Sequence, residues 1–266
     1  MTAPLPAKIK EAVILMAGSG SRLRINNLNI LKPLVPIHGQ PLVSYTIQSL
    51  AAAGVQKIIA IVGFERDSLV SQVRPLIPRS IDVEFVTNSH WQKQNGVSVL
   101  AAADYVDRPF LLTMSDHLFE PEIIDALMSK ADPKKVNIAV DKKLNLIFDL
   151  PDAMKLQTCG DRVTAIGKDL SNFDAIDTGL FVCSTELFAY LRRADESGDC
   201  SLADGIRLMA ADGKVRTVDI GAAWWQDVDT PEMLAEAELR TKSWQHGPNP
   251  ARAAHRMSLQ HEQDSA

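Results

Sequence analysis

The chain has 266 residues, of which 46% are hydrophobic and 23% charged, and carries a formal net charge of −5. That length allows one sizeable α/β domain or two small ones with a real core. The acidic balance speaks against broad binding to nucleic acid or anionic membranes, so the cations are read as local and site-specific.

Lys8 and Lys10 precede an apolar run over 12–17 in the manner of a signal peptide, but the run is short and passes straight into a glycine-rich turn. No apolar run is long enough to span a bilayer. Residues 12–17 read as a strand, and Ala17, Gly18, Ser19, Gly20 and Ser21 as a turn followed by the cations Arg22 and Lys32. Small side chains, or none, let such a backbone approach a polyphosphate and aim its N–H groups at the oxygens. Arg22 and Lys32 would neutralise the charge. The spacing lacks the Gly-Lys-Ser/Thr ending of a P-loop, and also the third glycine and later acid of a dinucleotide fold. The alternative is a strand-to-helix turn that uses glycine only for its backbone freedom.

Residues 40–53 carry Leu42, Tyr45, Ile47 and Leu50 at helical spacing and stop at Gly54. A strand at 57–62, a helix near 65–77, a strand at 81–87, a short helix at 97–103 and an apolar strand at 110–114 follow. This alternation predicts an α/β fold with a doubly wound, mostly parallel sheet. Ligands of such sheets lie outside the carboxyl ends of the strands, where the glycine turn and Asp116 would be neighbours. Beyond Lys135, short strands at 136–140, 144–148, 153–157, 162–166 and 177–182 predict a small antiparallel extension over the acceptor. Helices at 185–194, 202–211 and 230–243, with a strand at 215–219, complete one domain over 8–244. Residues 245–266, rich in Pro, His, Gln and Ser, read as a loose tail in which His246, His255 and His261 are solvated rather than metal-bound.

Asp116 ends an apolar strand, where a divalent cation held against phosphate oxygens would partner it; the alternatives are a cap for a helix from Pro121 onward or a loop acid. In Trp224-Trp225-Gln226-Asp227-Val228-Asp229-Thr230, either Thr230 or Asp229 caps the helix beginning at Pro231, which leaves Asp227 freer to be a ligand. Two such acids opposite a phosphate loop suit Mg²⁺. No serine or histidine stands in a nucleophile context. Cys159, Cys183 and Cys200, an odd number set far apart, make neither a zinc site nor a closed disulfide framework and fit a reducing cytosol.

The run from Leu15 to Arg22 with Lys32-Pro33-Leu34 resembles the signature of the sugar-phosphate nucleotidyltransferases, built on a glycosyltransferase-A-like sheet. Gln94-Asn95-Gly96-Val97-Ser98, Thr113-Met114-Ser115-Asp116-His117, Ile166-Gly167-Lys168-Asp169-Leu170, Phe173-Asp174-Ala175-Ile176-Asp177-Thr178-Gly179 and Trp225-Gln226-Asp227-Val228-Asp229-Thr230 resemble the CTP:inositol-1-phosphate cytidylyltransferases in particular, over about residues 10–240. The resemblance implies that Ala17, Gly18, Ser19, Gly20, Ser21 and Arg22 hold the CTP phosphates, with Lys32 near the α-phosphate. It sets Asn95, Gly96 and Ser98 against cytosine and ribose, and Asp116 and Asp227 on Mg²⁺. Lys168 would meet the acceptor phosphate and Asp177 the inositol hydroxyls, with Asp141 a further candidate for the acceptor pocket. Arg22, Lys32 and Lys168 are the expected catalytic cations.

The implied partners are CTP and a small phosphorylated alcohol, in the cytoplasm, without membrane insertion or nucleic acid; the product would pass to a membrane CDP-alcohol transferase. Phosphocholine, 2-aminoethylphosphonate and hexose 1-phosphates are rival acceptors. An ammonium acceptor would want an aromatic cage, for which Trp224, Trp225, Phe173, Phe181 and Tyr190 are available. A non-catalytic nucleotide-binding subunit is the rival of another class.

Overall fold

A computed structural model describes residues 9–20 and 30–246; Ser21, Arg22 and the tail beyond 246 lie outside the described residues. The strands β1 (Glu11–Met16), β4 (Lys57–Val62) and β6 (Phe110–Met114) are almost wholly buried apolar runs. Such runs form where both faces of a sheet are covered. Alternate residues of β1 divide between the two covers: Val13 and Leu15 pack into one core, Ala12, Ile14 and Met16 into the other. The first core takes in α3 (Asn95–Leu100), α5 (Glu186–Ala194) and α6 (Leu202–Ala211), the second α1 (Leu42–Ala52), α2 (Arg66–Val73) and α4 (Glu122–Lys130). The period of two along the strands thus produces three layers.

With β5 (Asp82–Thr87), β8 (Val136–Asp141), β9 (Lys155–Cys159), β10 (Arg162–Gly167), β11 (Ala175–Cys183) and β12 (Val215–Asp219), these strands form one sheet in the order β5-β4-β1-β6-β11-β8-β12-β10-β9. Its first four strands are parallel, and β8 and β12 pair in parallel, while β11 is antiparallel to both β6 and β8. The doubly wound α/β expectation holds, and the antiparallel extension is woven into the same sheet. The chain leaves β1 toward β4 and β5, then returns to β6 on the other side. The strand order therefore reverses between β1 and β6, which end at the glycine turn and at Asp116.

Two small sheets complete the fold: the hairpin β2 (Pro36–Ile37) with β3 (Gln40–Pro41), and β7 (His117–Phe119) with β13 (Trp225–Asp227). Helix α7 (Pro231–Arg240) begins at Thr230, whose hydroxyl accepts from the Met233 N–H at 3.3 Å. The cap expected of Thr230 or Asp229 is therefore Thr230. Asp116 caps nothing, because α4 starts after Pro121 without a side-chain cap.

The strand expected at 144–148 is instead a 3₁₀ turn over Leu144–Leu146. The Leu-Asn-Leu alternation imitates a strand, yet Asp141 accepts the Lys143 N–H at 2.7 Å and turns the chain out of the sheet. Leu146 and Phe148 are left exposed. All three cysteines are free, Cys183 and Cys200 buried and Cys159 exposed. Among the described residues no helix is long and apolar enough to cross a membrane.

Candidate active site

Two adjoining cavities open where the strand order reverses. The smaller, of about 340 Å³, is walled by Ala17, Gly18, Gly20, Lys32, Trp91 and Ser98. The larger, of about 560 Å³, is walled by Asp141, Lys168, Asp177, Trp224 and Asp227. Asn95, Met114, Asp116 and Asp229 line both. The glycine turn and Asp116 are thus brought together as expected, with the acceptor-side candidates in the second chamber.

Lys32 stands at the junction. Its Nζ donates to Asp116 Oδ2 at 2.5 Å and to Asp229 Oδ1. Burial would lower the Lys32 pKa, but Asp116 and Asp229 outweigh it and raise the value. Burial would likewise raise Asp116, and Lys32 and His117 overcome it and hold its carboxyl well below the usual range. The glycine turn fixes the lysine stem: Gly20 has φ +61°, and a Cβ there would meet Lys32 Cβ at 2.5 Å. A Cβ on Gly18 would meet nothing within 4 Å, so Gly18 presents open backbone rather than a packing contact. Ser19 is part of the same turn but does not line the cavity.

His117 follows Asp116 directly, and its Nδ1 lies 2.6 Å from Asp116 Oδ1. Burial lowers its pKa, but Asp116 first and then Asp227 raise it overall. Asp227 sits opposite His117 in the β7–β13 ladder, and the Val228 N–H donates to the Asp116 carbonyl at 2.9 Å. Burial raises Asp227, His117 opposes this, and the neighbouring Asp229 and Asp116 add to it. Three carboxylates, Asp116, Asp227 and Asp229, therefore stand together beside Lys32 and His117. Among the described residues no three His, Cys, Asp or Glu side chains group as a metal site, so a hard divalent ion here would take one or two of these carboxylates together with phosphate oxygens.

On the acceptor side, Lys168 Nζ donates to Asp152 Oδ1 at 2.6 Å and is half exposed. Asp141 is spoken for: Oδ2 accepts from Trp225 Nε1 at 3.0 Å, and Oδ1 meets Lys143 Nζ at 2.9 Å. It shapes the wall. Asp177 accepts the Gly179 N–H at 2.8 Å. Burial pushes Asp177 up to about 7, against the opposing pull of Gly179 and His117.

An unfolded Asp titrates near ~4, so between about pH 4 and 7 the unfolded chain releases a proton that the folded chain keeps, and stability falls as pH rises. This contribution is complete below the unfolded value and lost through the folded one. Asp177→Asn should remove that loss, worth on the order of 1–4 kcal/mol. Melting at pH 5 and pH 8 should show the variant gaining on the wild type only at the higher pH; parallel curves would exclude the assignment.

Asn95, which lines both cavities, and Gly96 also make contacts to the segment around Cys200. Asn95 Oδ1 accepts the Leu202 N–H at 2.8 Å, and a Cβ on Gly96 would lie 2.6 Å from the Cys200 carbonyl oxygen. Gly96 lines neither cavity and is there for packing. The neighbouring Lys93 Nζ donates to the Gly198 carbonyl, and the Gln94 N–H to Asp199 at 2.9 Å. Residues 93–96 are thereby fastened to 198–202. Ser98 lines the smaller cavity and accepts from Asn88 Nδ2 at 2.9 Å. Sequence reasoning assigned no role to His117 or to the Asp229 contact with Lys32. The adjacency of His117 to Asp116, and a third acid two positions from Asp227, were the available signals.

The family model described as the MobA-like NTP transferase domain matches residues 12–200. A protein named "Bifunctional IPC transferase and DIPP synthase" from Rubrobacter xylanophilus is 33% identical over 235 residues, covering 88% of this chain and 52% of that protein. One of the same name from Aquifex aeolicus is 29% identical, over 86% of this chain and 51% of that protein. The chain thus spans about half the length of the curated relatives it matches. The solved structure of the inositol-1-phosphate CTP transferase from T. maritima superposes with a TM-score of 0.81 at 25% identity, covering 91% of this chain and 98% of that one. A UDP-glucose pyrophosphorylase bound to UDP-glucose shares the fold, with a TM-score of 0.74 at 16% identity over 88% of this chain and 99% of that one.

Proposed function

Because the chain belongs to the MobA-like NTP transferase family, and so to the nucleotidyltransferase enzymes, we propose that it joins CTP to inositol 1-phosphate to give a CDP-alcohol and pyrophosphate. The observation that carries this reading is the meeting of two cavities at Lys32, Asp116 and Asp229. One chamber has the open glycine turn, the other sets Asp141, Lys168 and Asp177 among apolar and aromatic side chains, and Lys32, Asp116 and Asp229 stand at the junction.

In this mechanism the smaller cavity takes the nucleotide, with the open backbone at Gly18 on its phosphates. The larger takes the acceptor, with Lys168 at its phosphate and Asp177 at ring hydroxyls. A carboxyl group with a pKa about 7 can both donate to and accept from hydroxyls near neutral pH. An acceptor phosphate oxygen attacks the α-phosphorus, the new P–O bond forms, and the bond to the β-phosphate breaks to release pyrophosphate. No side-chain base is required, since a phosphate monoester has its second pKa about 6. Lys32 offsets the charge that builds at the junction, and Asp116 and Asp227 would hold Mg²⁺, which supplies further charge neutralisation when bound.

Of the aromatics available for an ammonium cage, only Trp224 and Trp225 line the larger chamber; the polyol reading rests on Asp177 rather than on them. Phe181 is fully buried, Tyr190 lies beneath Arg193 and Lys214, and Phe173 beneath Lys155. Trp225 gives a face to His117, and Trp224 meets Trp244 edge-on. The reading also implies a cytoplasmic enzyme, where CTP and reduced thiols are found, whose product serves a membrane CDP-alcohol transferase.

The deciding assay is metal-dependent pyrophosphate release from CTP with inositol 1-phosphate, run beside phosphocholine, 2-aminoethylphosphonate and glucose 1-phosphate, with UTP as the nucleotide control. Release confined to CTP with inositol 1-phosphate is expected. Preference for another acceptor would replace the substrate while keeping the chemistry, and nucleotide binding without release from any acceptor would make the chain a binding subunit.

A further inference from the structure

We propose that His117 is a positioning residue that fixes the carboxylate of Asp116 in the orientation needed to receive a divalent cation; the proposal rests on the cytidylyltransferase reading for the identity of the bound nucleotide. Nδ1 of His117 holds Asp116 Oδ1 at 2.6 Å, while Lys32 holds Oδ2 at 2.5 Å from the other side. Gripped at both oxygens, the carboxylate cannot rotate about its terminal torsion, which is otherwise broad and roughly two-fold. Only the remaining lone pairs are presented to the junction of the cavities.

The imidazole is itself held. Its ring lies nearly parallel to that of Trp225, at 15° and 6.1 Å between centroids. Trp225 is fixed in turn by the hydrogen bond from its Nε1 to Asp141. On another side the ring edge rests on Gly179, where a Cβ would lie 2.4 Å from both Nε2 and Cδ2. Gly179 has φ +74° and sits where the pairing of β11 with β8 shifts register between Asp177 and Phe181. The local chain is thus shaped around this ring. Groups that orient a metal-binding side chain commonly contribute about 10–100-fold to metal affinity.

A packing role and a positioning role make different demands. Packing needs a flat group of the right volume, whereas positioning needs a donor at the place of Nδ1. The amide nitrogen of Asn falls near Nδ1, and that of Gln near Nε2. The test compares the wild type with His117→Ala, His117→Asn and His117→Gln. Mn²⁺ binding is followed by electron paramagnetic resonance in the presence of CTP without acceptor, and each protein is melted.

His117→Ala and His117→Gln should weaken Mn²⁺ binding about 10–100-fold, and His117→Asn should stay within about 3-fold of wild type. In turnover the first two should lose kcat while the acceptor KM changes by less than about 3-fold. Equal Mn²⁺ affinity in all four proteins overturns the proposal, as does a common fall of the Asn and Gln variants accompanied by a common loss of melting temperature. The Mn²⁺ measurement needs no acceptor. A wild type that releases no pyrophosphate would therefore sink the functional reading while a graded Mn²⁺ series still upheld His117 as the positioning residue.

Discussion

Lys32→Met is expected to lower kcat/KM by at least about 10³-fold, the scale lost when a preorganised charge contact to the transition state is removed. The same change should destabilise the fold. Lys32 is the cation shared by Asp116 and Asp229, both set in a largely enclosed site, and removing one partner of a buried ion pair commonly costs about 3–5 kcal/mol. The sign of the pH dependence follows from Asp116, which the wild-type protein holds below its unfolded value. Its stabilisation is complete above about pH 4 and lost as the pH falls further. Without Lys32 that gain disappears, so the deficit of the variant should be largest near neutral pH and should shrink on acidification. Denaturant melts at about pH 2.5 and pH 7, beside pyrophosphate-release kinetics, test both halves. A variant retaining kcat/KM within about tenfold of wild type would remove Lys32 from the reaction.

Asp116→Asn should separate charge from shape. The amide preserves the volume and can still meet His117, and Asp229 still engages Lys32. The fold should therefore survive. What is lost is the anionic oxygen proposed to hold Mg²⁺, and turnover should drop by at least about 10³-fold at any Mg²⁺ or Mn²⁺ concentration. Activity restored by excess metal to within about tenfold of the wild type would place the cation elsewhere. Read together, the two substitutions should differ in degree: the lysine variant removes the cation from both Asp116 and Asp229, whereas the aspartate variant gives up one ion pair, keeps Asp229 on Lys32 and loses less stability.

The parts of the site that were legible in the sequence are those dictated by local chemistry. Apolar runs as continuous as those of β1, β4 and β6 have few homes other than a covered sheet, and the turn and acid that end β1 and β6 then have to meet. Lys32 was legible as a cation near a phosphate turn. Its two carboxylate partners were not both legible, because Asp229 beside Thr230 reads equally well as a helix cap and only the tertiary fold aims it at a residue 197 positions away. Gly96 shows the same limit from the other side. Its missing side chain admits the Cys200 carbonyl, and nothing local distinguishes that from a nucleotide's approach. The Leu-Asn-Leu pattern at 144–146 failed because alternation records a possible strand, while pairing requires a free neighbour. Arg22 and Ser21 fall outside the described residues, so their expected phosphate contacts rest on the sequence alone.

The fastening of residues 93–96 to 198–202 bears on how acceptor choice could diverge among proteins of this shape. Ser201 and Leu202, at the start of α6, line the larger chamber, yet they are tied to the segment that flanks the smaller one. A substitution on that shared wall that reshaped the larger chamber would also disturb the smaller one. The facing wall, built from the 3₁₀ turn with Leu146 and Phe148 and from Trp224, carries no such tie to the nucleotide side among the contacts described. On the proposed cytidylyltransferase reading, changes of acceptor should therefore accumulate there, and an engineer seeking a new phosphorylated alcohol should randomise positions 146, 148 and 224 and leave α6 untouched.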